Sequence, residues 1–373
     1  MASAQTAAWT PADTKVVVQW LAGLQFANPA QPSFGAIRVH HTTAAVGVDG
    51  RGYFRVSPYI GNLATLGLLR SHRPESLSIA ERWIDWWFAH LNSGSAPDGV
   101  PFEHFYLQDG SGETVCVMPG DPHLCRYNDA TDSAAATFFT LLLEYQRSGG
   151  RIRPEQLDRR TKQIGALFKT LLALQNLDGL FWAKTTFHAK YLEDNCEVYS
   201  GLIALAQLSN TVFRDPERAA EAEATAKRLR TAIDAALFDF KQGRFLVAKF
   251  EDNAVKPPDL NTWYPDVQSQ FWPILWGVST PSDANSRAAI SLLANIWNGK
   301  QHPDWAAQPE KVNGGWISAD VAYAVALAGD RKRLPEYLKV VKRLKIARRD
   351  RFAWPFSAAD AGWLLAITGS MKL

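Results

Sequence analysis

Seven carboxylates share one kind of position in this chain. Asp129 and Asp132, Asp194 and Glu197, Asp266, Asp320 and Asp360 each fall just before or within the first turn of an apolar, helix-forming stretch. Two carboxylates facing one another across a cavity can divide a hydrolysis. One, kept protonated by an apolar or anionic setting, donates to the leaving oxygen; the other stays ionised and activates water. The same positions also suit a plainer task, because Asp is a favoured N-cap, D-x-x-E mimics a capping box, and acids near a helix N-terminus complement its dipole. Capping is the first expectation for Asp129 and Asp194. Asp132 and Glu197 lie three residues further on and are freer, so the candidate acids are Asp132, Glu197, Asp194, Asp266 and Asp320.

Aromatic residues gather near these acids. Trp182, Trp263, Trp305, Trp316 and Trp354 all fall in the longer connections between helix-forming stretches. Flat apolar rings beside polar groups suit the faces of pyranose sugars, whose hydroxyls need donors and acceptors close by. The alternative is that such tryptophans plug the bases of their loops. In LNTWYPDVQSQFWPILWGV (260–278), Pro265 suits a first helical turn, which places Asp266 and Gln270 one turn apart beside Trp263 and Tyr264. Phe271, Ile274, Leu275 and Val278 form the buried stripe beyond, and Pro273 is expected to kink the helix. The candidate binding set is Trp182, Trp263, Tyr264, Gln270, Trp316, Trp354, His188 and Tyr127.

What must position these side chains is a run of helices. Apolar residues at Ile164, Leu167, Phe168, Leu171 and Leu172 follow the spacing of a one-faced amphipathic helix, and similar faces recur at 12–28, 75–92, 215–237, 283–298 and 331–346. A second class is apolar nearly all round and rich in Ala and Gly: 57–69, 129–145, 194–208, 266–278, 318–329 and 357–369. A helix without a charged face must be enclosed by others. The two classes alternate, outer then inner, six times, which predicts an all-α fold, an (α/α)6 toroid of six helical hairpins with concentric rings. No Pro- or Ser-rich linker divides the 373 residues, so 1–373 reads as one domain. The long connections all precede inner helices, and function concentrates on long loops held by a rigid scaffold.

Composition removes several classes. A net charge of +3, from 40 basic and 37 acidic residues, gives no footprint for a polyanion, and the basic run at 342–351 reads as the solvated face of a helix. No 18-residue apolar run is present, so no membrane span is expected. The opening MASAQTAAWTP lacks the regions of an export signal, which points to a cytoplasmic chain; Cys116 and Cys125 could bridge within one loop, but free thiols are the first expectation for them and for Cys196. His104, His123, His188 and His302 are scattered without the spacing of a helical zinc site, and no dinucleotide fingerprint, P-loop or serine elbow occurs. Neither a metal nor a cofactor is expected.

The alternating hairpins, with YNDATDSAAATFFTLL (127–142), YLEDNCEVYSGLIAL (191–205) and TWYPDVQSQFWPILWGV (262–278), resemble the six-hairpin glycosidase superfamily. That resemblance implies a toroid acting on oligo- or polysaccharides through acids at the inner-helix mouths, often by inversion. Asp132 looks like the acid position used by several members, while Glu197, Asp194, Asp266 and Asp320 compete for the second place. A polysaccharide lyase is the nearest alternative, with Asn195, His188, Tyr191 and Arg126 as its candidate groups, although the mouth is mostly acidic. A silent carbohydrate-binding or scaffold protein is another. The acidic metal motif of terpene synthases is matched only superficially by NDATD (128–132).

Overall fold

The computed structural model describes residues 8–92 and 99–371. Its helices follow in pairs: α1 (Pro11–Leu24) and α2 (Pro58–Arg70), α3 (Ser76–Ala89) and α4 (Thr131–Arg147), α5 (Leu157–Leu172) and α6 (Leu192–Leu208), α7 (Pro216–Ala236) and α8 (Trp272–Leu275). After α9 (Ala284–Asn295) and a short α10 (Pro309–Val312) come α11 (Ala319–Leu327), α12 (Leu334–Val341) and α13 (Ala358–Ser370). The even-numbered helices to α8, then α11 and α13, form the inner ring. Each packs on the next in the order α2, α4, α6, α8, α11, α13, and α13 closes the ring against α2. The (α/α)6 toroid expected from the alternation is therefore the fold.

Local sequence explains where several helices start. Thr10 with Asp13 and Ser357 with Asp360 make capping boxes for α1 and α13, Ser57 caps α2, and Asp215 caps α7. On α5, Ile164, Leu167, Phe168 and Leu171 are buried, the face that the periodicity marks. Inner helices touch through small residues. A Cβ on Gly67 would lie 1.9 Å from the carbonyl oxygen of Gly362, so α2 and α13 meet backbone to backbone. Between the rings, the buried Trp83 of α3 donates its indole N–H to Asn62 of α2 at 3.0 Å, and the Asn62 amide donates to the Ala134 carbonyl of α4 at 3.1 Å. One contiguous apolar core runs from Trp9 to Ile367. No helix among the described residues is long and apolar enough to cross a membrane.

The strands all lie in long connections ahead of inner helices. β1 (Ala45–Val46), β2 (Gly52–Val56) and β3 (His104–Tyr106) form an antiparallel sheet with Val56 opposite His104. β4 (Ala189–Tyr191) pairs with β7 (Ala248–Phe250), and β7 with β8 (Val255–Lys256), while β5 (Phe238–Asp239) and β6 (Arg244–Phe245) make a small hairpin.

Three expectations are corrected here. Residues 266–278 do not form a continuous helix kinked at Pro273: a wide π-type turn at Trp263–Val267 gives way at Gln270 and Phe271, and α8 then restarts with Pro273 in its first turn. Proline is compatible with a first turn, where its missing N–H has no helical partner to lose. Cys116 and Cys125 are bridged rather than free, because an antiparallel bridge sets them opposite one another; Cys196 is the buried free thiol. The basic run at 342–351 is not wholly solvated, since Lys345 is buried and its ammonium donates to the Ala353 carbonyl.

Candidate active site

A cavity of about 420 Å³ opens among the N-terminal halves of the inner helices. Tyr59, Ile60 and Leu63 of α2 form one side, Asp129 ahead of α4 and Glu193 and Glu197 of α6 the next. Tyr264, Gln268, Trp272, Leu275 and Trp276 come from the broken fifth inner segment. Asn313, Trp316, Ser318 and Asp320 at the start of α11, and Ser357, Ala359, Asp360 and Trp363 at the start of α13, complete the wall. Acids and indoles from chain-distant helices thus meet in one hollow.

Glu193 and Glu197 lie one turn apart on the same face of α6, and both line the cavity. Glu197 is 1% exposed; its Oε1 accepts from the Tyr59 hydroxyl at 2.7 Å, and its Oε2 has no well-formed hydrogen bond. Burial, reinforced by the charge of Asp194, pushes the Glu197 carboxyl up to about 8. Glu193 is driven well above the usual carboxylate range by burial and then by Glu197 and Asp194. Across the ring, Asp320 is raised by burial, an effect opposed by the Gln268 amide, which donates to its Oδ2. Asp360 is raised to about 6 by burial, but its Oδ2 accepts from the backbone N–H and the hydroxyl of Ser357, each at 2.8 Å, so it is committed to its capping box.

The expected residues divide. Glu197, Asp320, Tyr264 and Trp316 line the cavity. Trp354 is 60% exposed with its ring 5.3 Å from that of Trp316, at the rim, and the Tyr127 hydroxyl donates to Asp129 at 2.6 Å just behind the wall. Asp132 and Asp194 do not line it. Asp132 is fully buried, accepts from the Ser133 N–H at 2.8 Å, and is raised by burial and by Asp194; Asp194, beneath the wall, is raised to about 7 by burial and Asp129. Neither Asp129 nor Asp194 caps its helix, since those cap positions fall to Ala130 and Tyr191.

Asp266 and Gln270 are drawn away from the cavity. Asp266 accepts from the Asp259 N–H at 2.9 Å and pairs with Lys256 at 3.3 Å, while the Gln270 amide clamps the backbone of Phe245 at 3.0 and 2.9 Å. Asp266 is thereby held beside β8, and the break at Gln270 and Phe271 leaves Gln270 on the β5–β6 hairpin. Trp263 and Trp305 are loop plugs, each 3% exposed, Trp263 donating to the Ser318 hydroxyl at 2.8 Å. Trp182 sits 5.0 Å from the ring of His188 and 4.1 Å from the Lys190 ammonium, and His188 pairs with Glu251 at 3.0 Å; neither reaches the cavity wall.

Sequence reasoning passed over Glu193, Trp272, Trp276 and Trp363. The signals were present as spacing: Glu193 stands four residues before Glu197, Trp272 four before Trp276, and Trp363 three after Asp360. Residues three or four apart share a helix face.

No family model matches the sequence, and the search of curated proteins returns no match. Solved structures do match. A wild-type glycosidase aligns over 96% of both chains with a TM-score of 0.61 at 17% identity. A GH63 mannosylglycerate hydrolase from Thermus thermophilus, in complex with glucose, aligns over 96% of this chain and 99% of its own with a TM-score of 0.59 at 12% identity. A GH76 α-mannanase from Bacteroides thetaiotaomicron aligns over 96% and 95% with a TM-score of 0.54 at 10% identity. At these identities the likeness is one of fold, the (α/α)6 toroid.

Proposed function

We propose that the chain is a glycoside hydrolase that cleaves a neutral oligo- or polysaccharide by inversion, with Glu197 as proton donor and Asp320 as the base that activates water. One observation carries this reading: carboxylates from α6 and α11, which flank α8 in the ring, line the same cavity as four indoles, those of Trp272, Trp276, Trp316 and Trp363. In a hexagon of helices about 9 Å apart, two that flank a third have axes about 16 Å apart. The two carboxylates therefore face one cavity from either side of α8, and inversion requires them to stand roughly 6.5–9.5 Å apart to leave room for the attacking water.

Glu197 has the setting of an acid, because its anionic neighbours and burial keep it protonated near neutrality. Burial raises Asp320, and the Gln268 amide offsets part of that rise by favouring the ionised form, the state a base needs. An uncharged rather than an acidic sugar is supported by the wall, whose described lining residues include five carboxylates and no Arg, Lys or His. A uronate carboxylate set among these acids would be repelled by them, which favours the hydrolase over a uronate lyase. Glycosidase neighbours of the same fold, one bound to glucose, are in keeping with this reading.

The test is a screen of neutral oligosaccharides with the released anomer followed by NMR. Glu197→Gln and Asp320→Asn are each expected to lower kcat by about 10²–10⁴-fold without loss of fold. Undiminished turnover in Glu197→Gln overturns the assignment of the acid, and no turnover of any neutral glycan by the wild type leaves a binding protein as the better account.

A further inference from the structure

Outside the cavity, three side chains from the stretch between α3 and α4 converge beside β3. Glu113 Oε1 lies 2.9 Å from Nε2 of His90 and 2.9 Å from Nδ1 of His104, and the three ligand atoms all fall within 4.8 Å of one another. His90 follows α3, His104 opens β3, and Glu113 ends the turn that returns to β3 through the Phe105–Thr114 bridge.

The proton arrangement is the informative part. Nδ1 of His90 is 2.6 Å from the Trp86 carbonyl oxygen, which only an N–H can satisfy, so a neutral ring has its lone pair on Nε2, facing the carboxylate. Two lone pairs at that distance repel unless a positive centre lies near both. His104 is 8% exposed, and its buried Nδ1, although close to Glu113, makes no well-formed hydrogen bond. Either an N–H or a lone pair on that nitrogen points along one in-plane direction, which passes beside the Glu113 oxygen and leaves room there for a third partner to both.

We propose that His90, His104 and Glu113 form a zinc site. Two imidazoles and one carboxylate are the donor set of a borderline cation and not of magnesium or calcium, which prefer all-oxygen shells. Tetrahedral zinc with bonds of about 2.0–2.1 Å sets its ligands about 3.3 Å apart, so binding requires the two imidazoles, now within 4.8 Å of each other, to swing together while the Glu113 carboxylate moves back from its 2.9 Å contacts. The supporting shell is already placed: the Trp86 carbonyl fixes the His90 tautomer, and the Tyr106 hydroxyl, receiving the Trp86 indole N–H at 3.1 Å, donates to Glu113 at 2.8 Å. Glu113 is partly exposed, which gives the ion an entry path and a water for the fourth position.

The role is that of a staple for the wall. Next to His104, the Glu103 N–H donates to the Tyr127 carbonyl at 2.8 Å, and Tyr127 holds Asp129 at the cavity edge. Metal at this point ties α3 to the loop that carries those residues.

The experiment uses the full-length chain without an affinity tag, stripped with EDTA and dialysed against zinc chloride. Elemental analysis is expected to find one zinc per chain, and Glu113→Gln and His104→Gln are each expected to weaken zinc binding at least about tenfold to a hundredfold. Zinc is also expected to raise the Tm of the wild type and leave that of Glu113→Gln unchanged. Should the variants fail to fold, wild-type protein loaded with Co²⁺ is to show the visible bands of a four-coordinate nitrogen–oxygen site. Weak or substoichiometric zinc in the wild type, zinc bound equally well by the variants, or six-coordinate cobalt overturns the site and leaves a protonated imidazole paired with the carboxylate in its place.

Discussion

Glu197 and Asp194 differ by three positions, yet one faces the cavity and the other lies under it, and their protonation is linked. Burial raises Glu197 to about 8, Asp194 to about 7 and Asp360 to about 6, against ordinary values of 4.5 for Glu and 3.8 for Asp. A raised acid means that the native state binds more protons than the unfolded chain between those values, so stability falls as pH rises. The contribution of these groups is complete below about pH 4 and is lost as pH climbs through 6 to 8. Thermal melts are expected to show a lower Tm at pH 9 than at pH 5, with Glu197→Gln flattening the upper part of that decline. Parallel declines in the two proteins count against the shift at Glu197. Activity is expected to fall on the alkaline side as the donor loses its proton. Trp316→Ala, which removes a wall indole without emptying the core, is expected to raise KM about three- to tenfold with kcat nearly kept, a loss on the scale of one aromatic contact.

At the level of helices, the ring depends on close backbone approach. Gly67→Ala places a methyl group 1.9 Å from the Gly362 carbonyl oxygen, and neither backbone can yield without moving a whole helix. The expected cost is about 3 kcal/mol or more, at the upper end for overpacking, read as a lower urea midpoint. A variant as stable as the wild type would show that α2 and α13 separate easily. The broken fifth inner segment shows the opposite effect, in which local sequence yields to tertiary demands. Ending a turn at Val267 and restarting at Trp272 sends Gln270 to the Phe245 backbone, leaves Gln268 beside Asp320, and swings Trp272 and Trp276 to the wall. The four-residue spacing of those indoles was legible in sequence, but the break that aims them was not. A regular helix through 266–278 would have pointed Asp266 and Gln270 together.

For the molecule as a whole, the bridge between Cys116 and Cys125 makes a direct claim about thiols. Unfolded without reductant, the chain is expected to titrate one thiol, Cys196, and three after reduction; three at the outset would refute the bridge. In the loop-entropy account, closing so short a loop contributes about 2–3 kcal/mol. The sequence by itself determined the alternation of one-faced and all-apolar helices, hence the two rings and the end at which long loops gather, because helix burial is written in local periodicity. It also marked Glu197 and Asp320. Only the tertiary structure decided that Asp132 and Asp194 lie beneath the wall while Glu193 joins it, because each residue step turns a side chain by about 100° around the helix. That rotation is fixed by packing against neighbouring helices. Likewise His90, His104 and Glu113, which no spacing connects, meet only because a helix end, a strand and the turn after it fold back to one point.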